Sequence, residues 1–105
     1  MVYDQRRKEL DDIFREIVGP DGRVYFQPPE SIKLEYPCVL YERTSGDAQY
    51  ADNGAYTNRW CYSVTVIDRN PDTDIPTKIA HLPLCRSNRF FQVDNLNHYN
   101  FTLYY

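Results

Sequence analysis

The run Arg59–Asp68 constrains the fold of this chain more than any other segment. Trp60, Tyr62, Val64 and Val66 alternate with Cys61, Ser63, Thr65 and Ile67, the period of two that a pleated strand imposes. β-Branched and aromatic side chains fill the run, and both faces carry bulk near its end, the mark of a central strand. Such a strand needs a neighbour on each edge and a second layer over its apolar surface. Asp68-Arg69-Asn70-Pro71 breaks it.

Helices supply the second layer. Leu10, Ile13, Phe14 and Ile17 form the i, i+3, i+4, i+7 stripe of an amphipathic helix, which predicts a helix over residues 4–18. Asp4 reads as its N-cap, Asp11, Asp12, Arg15 and Glu16 as its wet face, and Gly19 as its C′ residue ahead of Pro20. A shorter helix is predicted over 73–82, capped by Asp72 or Thr73, with Ile75, Ile79 and Leu82 as its stripe. Pro76 is tolerable only in its first turn, and Pro83 stops it.

The other extended segments are read from alternation and turn residues. Val24-Tyr25-Phe26 is a short extended piece between Pro20-Asp21-Gly22 and Pro28-Pro29. From Ile32 onward, Leu34, Tyr36, Cys38 and Leu40 fall on one face and Lys33, Glu35, Val39, Tyr41 and Arg43 on the other. Pro37 cannot donate a ladder hydrogen bond, which suggests an edge or a bulge early in that strand. Arg89–Val93 reads as a strand, Asp94-Asn95-Leu96-Asn97 as a turn, and His98–Tyr105 as the last strand. In that strand Tyr99, Phe101, Leu103 and Tyr105 face one way, and His98, Asn100, Thr102 and Tyr104 the other. The expected fold is α+β: about four strands, mainly antiparallel, with both helices packed on one face. A weak strand before the first strong one is an option, and residues 1–105 form a single domain.

Composition narrows the function classes. Hydrophobic residues make up 42% and charged residues 26%, which is ordinary for a globular chain. The net charge of −3 argues against a protein built to grip nucleic-acid backbones. No apolar run reaches the roughly 20 residues of a membrane span, and the charged start MVYDQRRKEL lacks the apolar region of a signal peptide. Cys38, Cys61 and Cys85 are odd in number and widely spaced, so they read as reduced thiols serving as small apolar residues.

No constellation argues for chemistry. His81 and Cys85 have a four-residue spacing, but Pro83 breaks the helix that would align them on a metal. Cys38 and Cys61 lie mid-strand among apolar neighbours, where thiols are inert. Asp11-Asp12 belongs to a wet helix face, and Asp72 with Asp74 to a helix start, where acids favour the dipole. Gly19, Gly22, Gly46 and Gly54 are isolated turn residues rather than a phosphate loop. The expectation is a non-enzymatic protein without cofactor, metal or catalytic residues.

The unusual feature is the set of ten Tyr, five Phe and one Trp. Most are explained as core. Tyr50, Tyr56, Tyr104 and Tyr105 cannot all reach one small core, and tyrosine is a preferred interface residue. Residues 44–58, TSGDAQYADNGAYTN, form a polar connection far longer than the usual 2–6 residues, as functional loops do. A base-stacking platform of tyrosines is the competing reading, disfavoured by the acidic balance and the dispersed basic residues.

Several phrases carry a resemblance: Tyr25-Phe26-Gln27-Pro28-Pro29, Tyr36-Pro37-Cys38-Val39-Leu40-Tyr41, Val64-Thr65-Val66-Ile67-Asp68-Arg69-Asn70-Pro71-Asp72, Asp94-Asn95-Leu96-Asn97-His98-Tyr99 and Phe101-Thr102-Leu103-Tyr104-Tyr105. Together, from Phe14 to Tyr105, the chain resembles the tail terminators, small tail-completion proteins of tailed bacteriophages. The resemblance implies a virion structural protein assembled in the host cytoplasm. It implies a homo-oligomeric ring, a hexamer in that family, on the head-proximal end of the tail tube. Its partners would be the tube protein and the neck or connector protein, with genomic DNA passing through the bore unbound and no membrane involved. A neck or head–tail adaptor subunit is the nearest alternative, a nucleic-acid-binding α/β module a more distant one, and a small enzyme the last.

A closed ring needs two different complementary patches on each subunit. Tyr50, Asn53, Tyr56 and Arg59 in and beside the long loop, with Tyr104 and Tyr105 at the strand end, are the expected interface residues. Asp47 and Asp52 are candidates to line the bore, where modest negative charge lets DNA slide, though solvated loop acids are equally ordinary.

Overall fold

In the computed structural model, residues 5–44 and 60–105 are described in full and residues 2–4 by their backbone. Strand β3 (Cys61–Asp68) takes the central place its composition demands, with β2 (Cys38–Arg43) on one side and β5 (Leu96–Tyr104) on the other. Short β1 (Arg23–Phe26) and long β4 (Cys85–Val93) form the two edges, so the five-stranded order is β1-β2-β3-β5-β4. Two helices, α1 (Val2–Val18) and α2 (Ile75–Ala80), stand among the described residues.

The fold is α+β and the sheet mainly antiparallel, as expected; it has five strands rather than about four because the optional weak strand β1 is present, and the parallel pairing of β1 makes the sheet mixed. β1 pairs with β2 in parallel, Arg23 opposite Cys38 and Phe26 opposite Tyr41. All other pairs are antiparallel. Residues 27–37 carry the chain back along β1 without a helix. Their tight path uses Gln27 at φ 46° and a cis peptide bond between Tyr36 and Pro37.

Several boundaries differ from the sequence expectation. α1 begins at Val2, so Asp4 lies within the helix and is not its N-cap. Its far end is as expected: Gly19 adopts φ 79° and its N–H donates to Arg15 O at 3.1 Å, closing the helix. The turn then passes so close that a Cβ on Gly22 would lie 2.5 Å from Val18 Cβ. α2 is shorter than 73–82, with Asp74 at its N-cap position making no side-chain cap bond and Pro76 in its first turn. Thr73 Oγ1 instead accepts a long 3.4 Å bond from Ile75 N–H.

β2 starts only at Cys38, beyond Pro37, and is an inner strand rather than an edge. Its helix-facing core residues are Val39 and Tyr41, at 0% and 1% exposure, while Cys38 on the other face is buried as well. β4 starts at Cys85 rather than Arg89 because its register shifts between Ser87 and Arg89, leaving Asn88 as a bulge. The β4–β5 turn is two residues long, Asp94 and Asn95 at φ 54° and 64°, the positive values a type I′ hairpin requires.

Both helices lie on one face of the sheet. Leu10 and Phe14 of α1 and Ile75 and Ile79 of α2 close over Val39, Tyr41, Tyr62, Val64, Val66, Phe101 and Leu103. Cys38 is fully buried, Cys61 and Cys85 are half-buried, and no disulfide joins them. Burial pushes the Cys38 thiol up to about 12, helped by the charge of Asp68, and pushes Cys85 up to about 11.

Candidate assembly surface

One end of the sheet gathers the ends of five elements. β1 ends there at Phe26, β2 at Arg43 and β5 at Tyr104, while β3 begins and the N-terminal turns of α1 arrive from above. Trp60 and Tyr105 extend the β3–β5 ladder by one pair, with reciprocal N–H to O bonds of 3.1 and 3.0 Å. The long connection leaves and returns at this end, between Thr44 and Trp60.

Three arginines are threaded through the aromatic rings here. The Arg6 guanidinium lies 4.7 Å from the Tyr105 ring centre and Arg7 lies 4.5 Å from that of Phe26. Arg43 sits between two rings, 5.6 Å from Phe26 and 4.7 Å from Trp60. The helix spacing explains part of this: Arg7 precedes Asp11 and Phe14 by four and seven residues, so it shares their sheet-facing side. Arg7 Nη1 donates to Tyr41 Oη at 3.2 Å, Tyr41 Oη donates to Asp11 Oδ1 at 2.7 Å, and Arg15 Nε donates to Asp11 Oδ2 at 2.6 Å. Burial, with Asp11 as acceptor, holds Tyr41 well above the usual phenol range. Tyr105 is raised by burial and by Glu9, to whose carboxylate its hydroxyl donates at 3.4 Å.

Polar atoms remain unmatched in this cluster. Arg6 Nε, Arg43 Nε and Tyr62 Oη are buried without a hydrogen-bond partner. Beside Arg6 and Tyr105 opens an apolar pocket of about 180 Å³, walled by Leu10, Ile13, Leu82 and Leu103. Trp60, at 37% exposure, is one of the large apolar side chains at the surface among the described residues. Arg6, Tyr104 and Tyr105 line this pocket and Trp60 pairs with Tyr105 on the ladder; Arg, Tyr and Trp are the residues enriched in protein–protein hot spots.

The opposite end of the sheet has different chemistry. Asp68, the β4–β5 turn and the segment leading to α2 meet there, with Asp72, Asp74 and Asp94 exposed. Asp74 is offset by Lys78 at 3.4 Å, and Arg69 is drawn to the Tyr36 ring at 5.4 Å. On β4, near this end, Phe90 and Val93 are 56% and 49% exposed.

Of the expected interface residues, Tyr105 is half-buried beneath Arg6 and Tyr104 is buried at 9% exposure. Tyr50, Asn53, Tyr56 and Arg59, and the bore candidates Asp47 and Asp52, lie outside the described residues. Sequence reasoning missed Arg6, Arg7, Arg43 and the exposed Phe90. The helical spacing of Arg7 to Asp11 and Phe14 was the one available signal. Among the described residues no cluster of three or more His, Cys, Asp or Glu could hold a metal, and His81 Nδ1 lies 2.7 Å from Thr77 O. Among them, too, no helix is long and apolar enough to cross a membrane. Comparison with protein-family models, curated proteins and solved structures returns no match.

Proposed function

We propose that this chain is a structural subunit of a tailed-phage virion, a tail terminator acting by ring assembly rather than chemistry. The ring, a hexamer by family resemblance, caps the head-proximal end of the tail tube and meets the neck or connector protein, with DNA running through its bore. The resemblance in sheet and turn phrases points to the class. The observation that carries the reading is the Arg6–Arg43–Trp60–Tyr105 surface, two guanidinium groups on exposed or half-buried rings, with Arg6 and Tyr105 lining an apolar pocket. Surfaces of this composition work by burial against another protein. A neck or head–tail adaptor subunit would use the same surface at a neighbouring position on the axis.

Light scattering of the purified chain, alone and mixed with tail tubes, tests the reading. The expected result is a species of several chains, near six, free or on the tube end, and labelled chain at the head–tail junction of imaged particles. A chain that stays monomeric in both settings, or finished particles that lack it, would overturn the reading.

A further inference from the structure

The pocket beside Arg6 needs an occupant, and the far end of the same sheet displays one. A cavity of about 150 Å³ is known to hold a benzene ring, so the pocket of about 180 Å³ walled by Leu10, Ile13, Leu82 and Leu103 accepts one aromatic side chain. Phe90 is such a side chain, 56% exposed and braced by the Tyr99 ring at 4.9 Å. It cannot fill the pocket of its own chain. Phe90 stands opposite Tyr99, and the nearest pocket residue on that strand, Leu103, lies four residues further along, roughly 13 Å away at about 3.3 Å per residue and beyond the reach of a phenylalanine side chain.

Charge complementarity points the same way. The pocket end carries Arg6, Arg7 and Arg43, with the Arg6 and Arg43 Nε groups buried and unpartnered. The Phe90 end carries exposed Asp94 and Asp72 in a chain whose net charge is −3. Resting on the ring reading above, we propose that the Arg6–Tyr105 pocket receives Phe90 of a second copy of this chain. Asp94 and Asp72 of that copy then face the arginine end. Donor and acceptor surfaces differ, so the contact is head-to-tail and repeats around a ring. The bulge at Asn88 and the charges of Arg86 and Arg89 keep the first half of β4 from open-ended strand pairing.

Two variants test this, Arg6→Glu in the acceptor and Phe90→Asp in the donor, with circular dichroism confirming that each is folded. Val93→Asp, exposed near Phe90, serves as a second donor variant. Light scattering and co-sedimentation with tail tubes are expected to show each variant at least tenfold weaker in self-assembly. An equimolar mixture of Arg6→Glu and Phe90→Asp is expected to form a two-chain complex, because one intact pocket and one intact Phe90 remain. If the unmodified chain forms rings but the variants do too, or the mixture stays monomeric, the contact is refuted and the ring reading survives. An unmodified chain that never assembles refutes both.

Discussion

The two faces of the central sheet solve the same problem by opposite means. On the helix side, Tyr62, Val64 and Val66 of β3 are fully buried beneath Leu10, Phe14, Ile75 and Ile79. On the other side, Ser63 and Thr65 of the same strand are half-buried and satisfied laterally. Asn100 of β5 donates through Nδ2 to Ser63 Oγ at 3.2 Å and Thr65 Oγ1 at 3.0 Å, and its Oδ1 accepts from Asn88 Nδ2 at 3.0 Å. Asn88 Nδ2 also reaches Thr102 Oγ1 at 2.6 Å. One face is held by removing apolar area from water; the other buries Cys38 and Ile67 but, around Ser63, Thr65 and Asn100, is held by a ladder of side-chain amides and hydroxyls. The bulge therefore has a structural use: it places Asn88 where it ties the edge strand to β5.

The comparison breaks most visibly at Phe14. Its ring is fully buried and meets Tyr41 edge-on with centres 4.9 Å apart. Phe14→Ala is expected to cost about 3–5 kcal/mol, a large share of the 5–15 kcal/mol typical of a domain. Urea denaturation followed by circular dichroism measures it. A loss below about 1 kcal/mol would mean that α1 is not the cover of this sheet.

Asn100 sharpens the contrast from the open side. Asn100→Ala removes bonds to Ser63, Thr65 and Asn88, but water reaches this face and can replace them. The expected loss is about 1–2 kcal/mol, read by the same denaturation. A loss equal to that of Phe14→Ala would show that the ladder, not the core, dominates the stability of β5.

The parts of the fold that are legible from sequence are those whose signal is local. The α1 stripe, the doubly bulky β3 and the Gly19 stop each follow from residues within one element. The parallel partnership of β1 is not local. Val24-Tyr25-Phe26 shows only that a short piece is extended, and its pairing with β2 depends on the path of residues 27–37. β2 misleads because both of its faces are apolar, so alternation alone cannot say that Val39 and Tyr41 rather than Cys38 and Leu40 meet the helices. In β4 the bulge reverses the alternation: Cys85 and Ser87 share the core side with Phe90 rather than with Arg89. A period-two reading therefore finds only the half beyond the bulge. The arginine-aromatic surface was invisible for a related reason, since Arg6, Phe26, Arg43 and Tyr105 come from four elements.

Tyr62 gives the finest test, because it is the place where the covered face keeps a polar atom it has not matched. Its ring is fully buried, 5.8 Å from Tyr41, yet its hydroxyl has no partner, whereas the Tyr41 hydroxyl bridges Arg7 and Asp11. A buried hydroxyl without a partner costs about 1–3 kcal/mol relative to its hydrated state. Tyr62→Phe removes that cost and leaves the ring packing in place, so a gain of up to about 1 kcal/mol is expected, seen as a higher thermal midpoint. Tyr41→Phe, its control one strand away, is expected to lose stability because it strands the Arg7 and Asp11 groups. If Tyr62→Phe were destabilising by the same amount, the two hydroxyls would be equivalent, and the covered face would depend on polar bonding as much as the open one does.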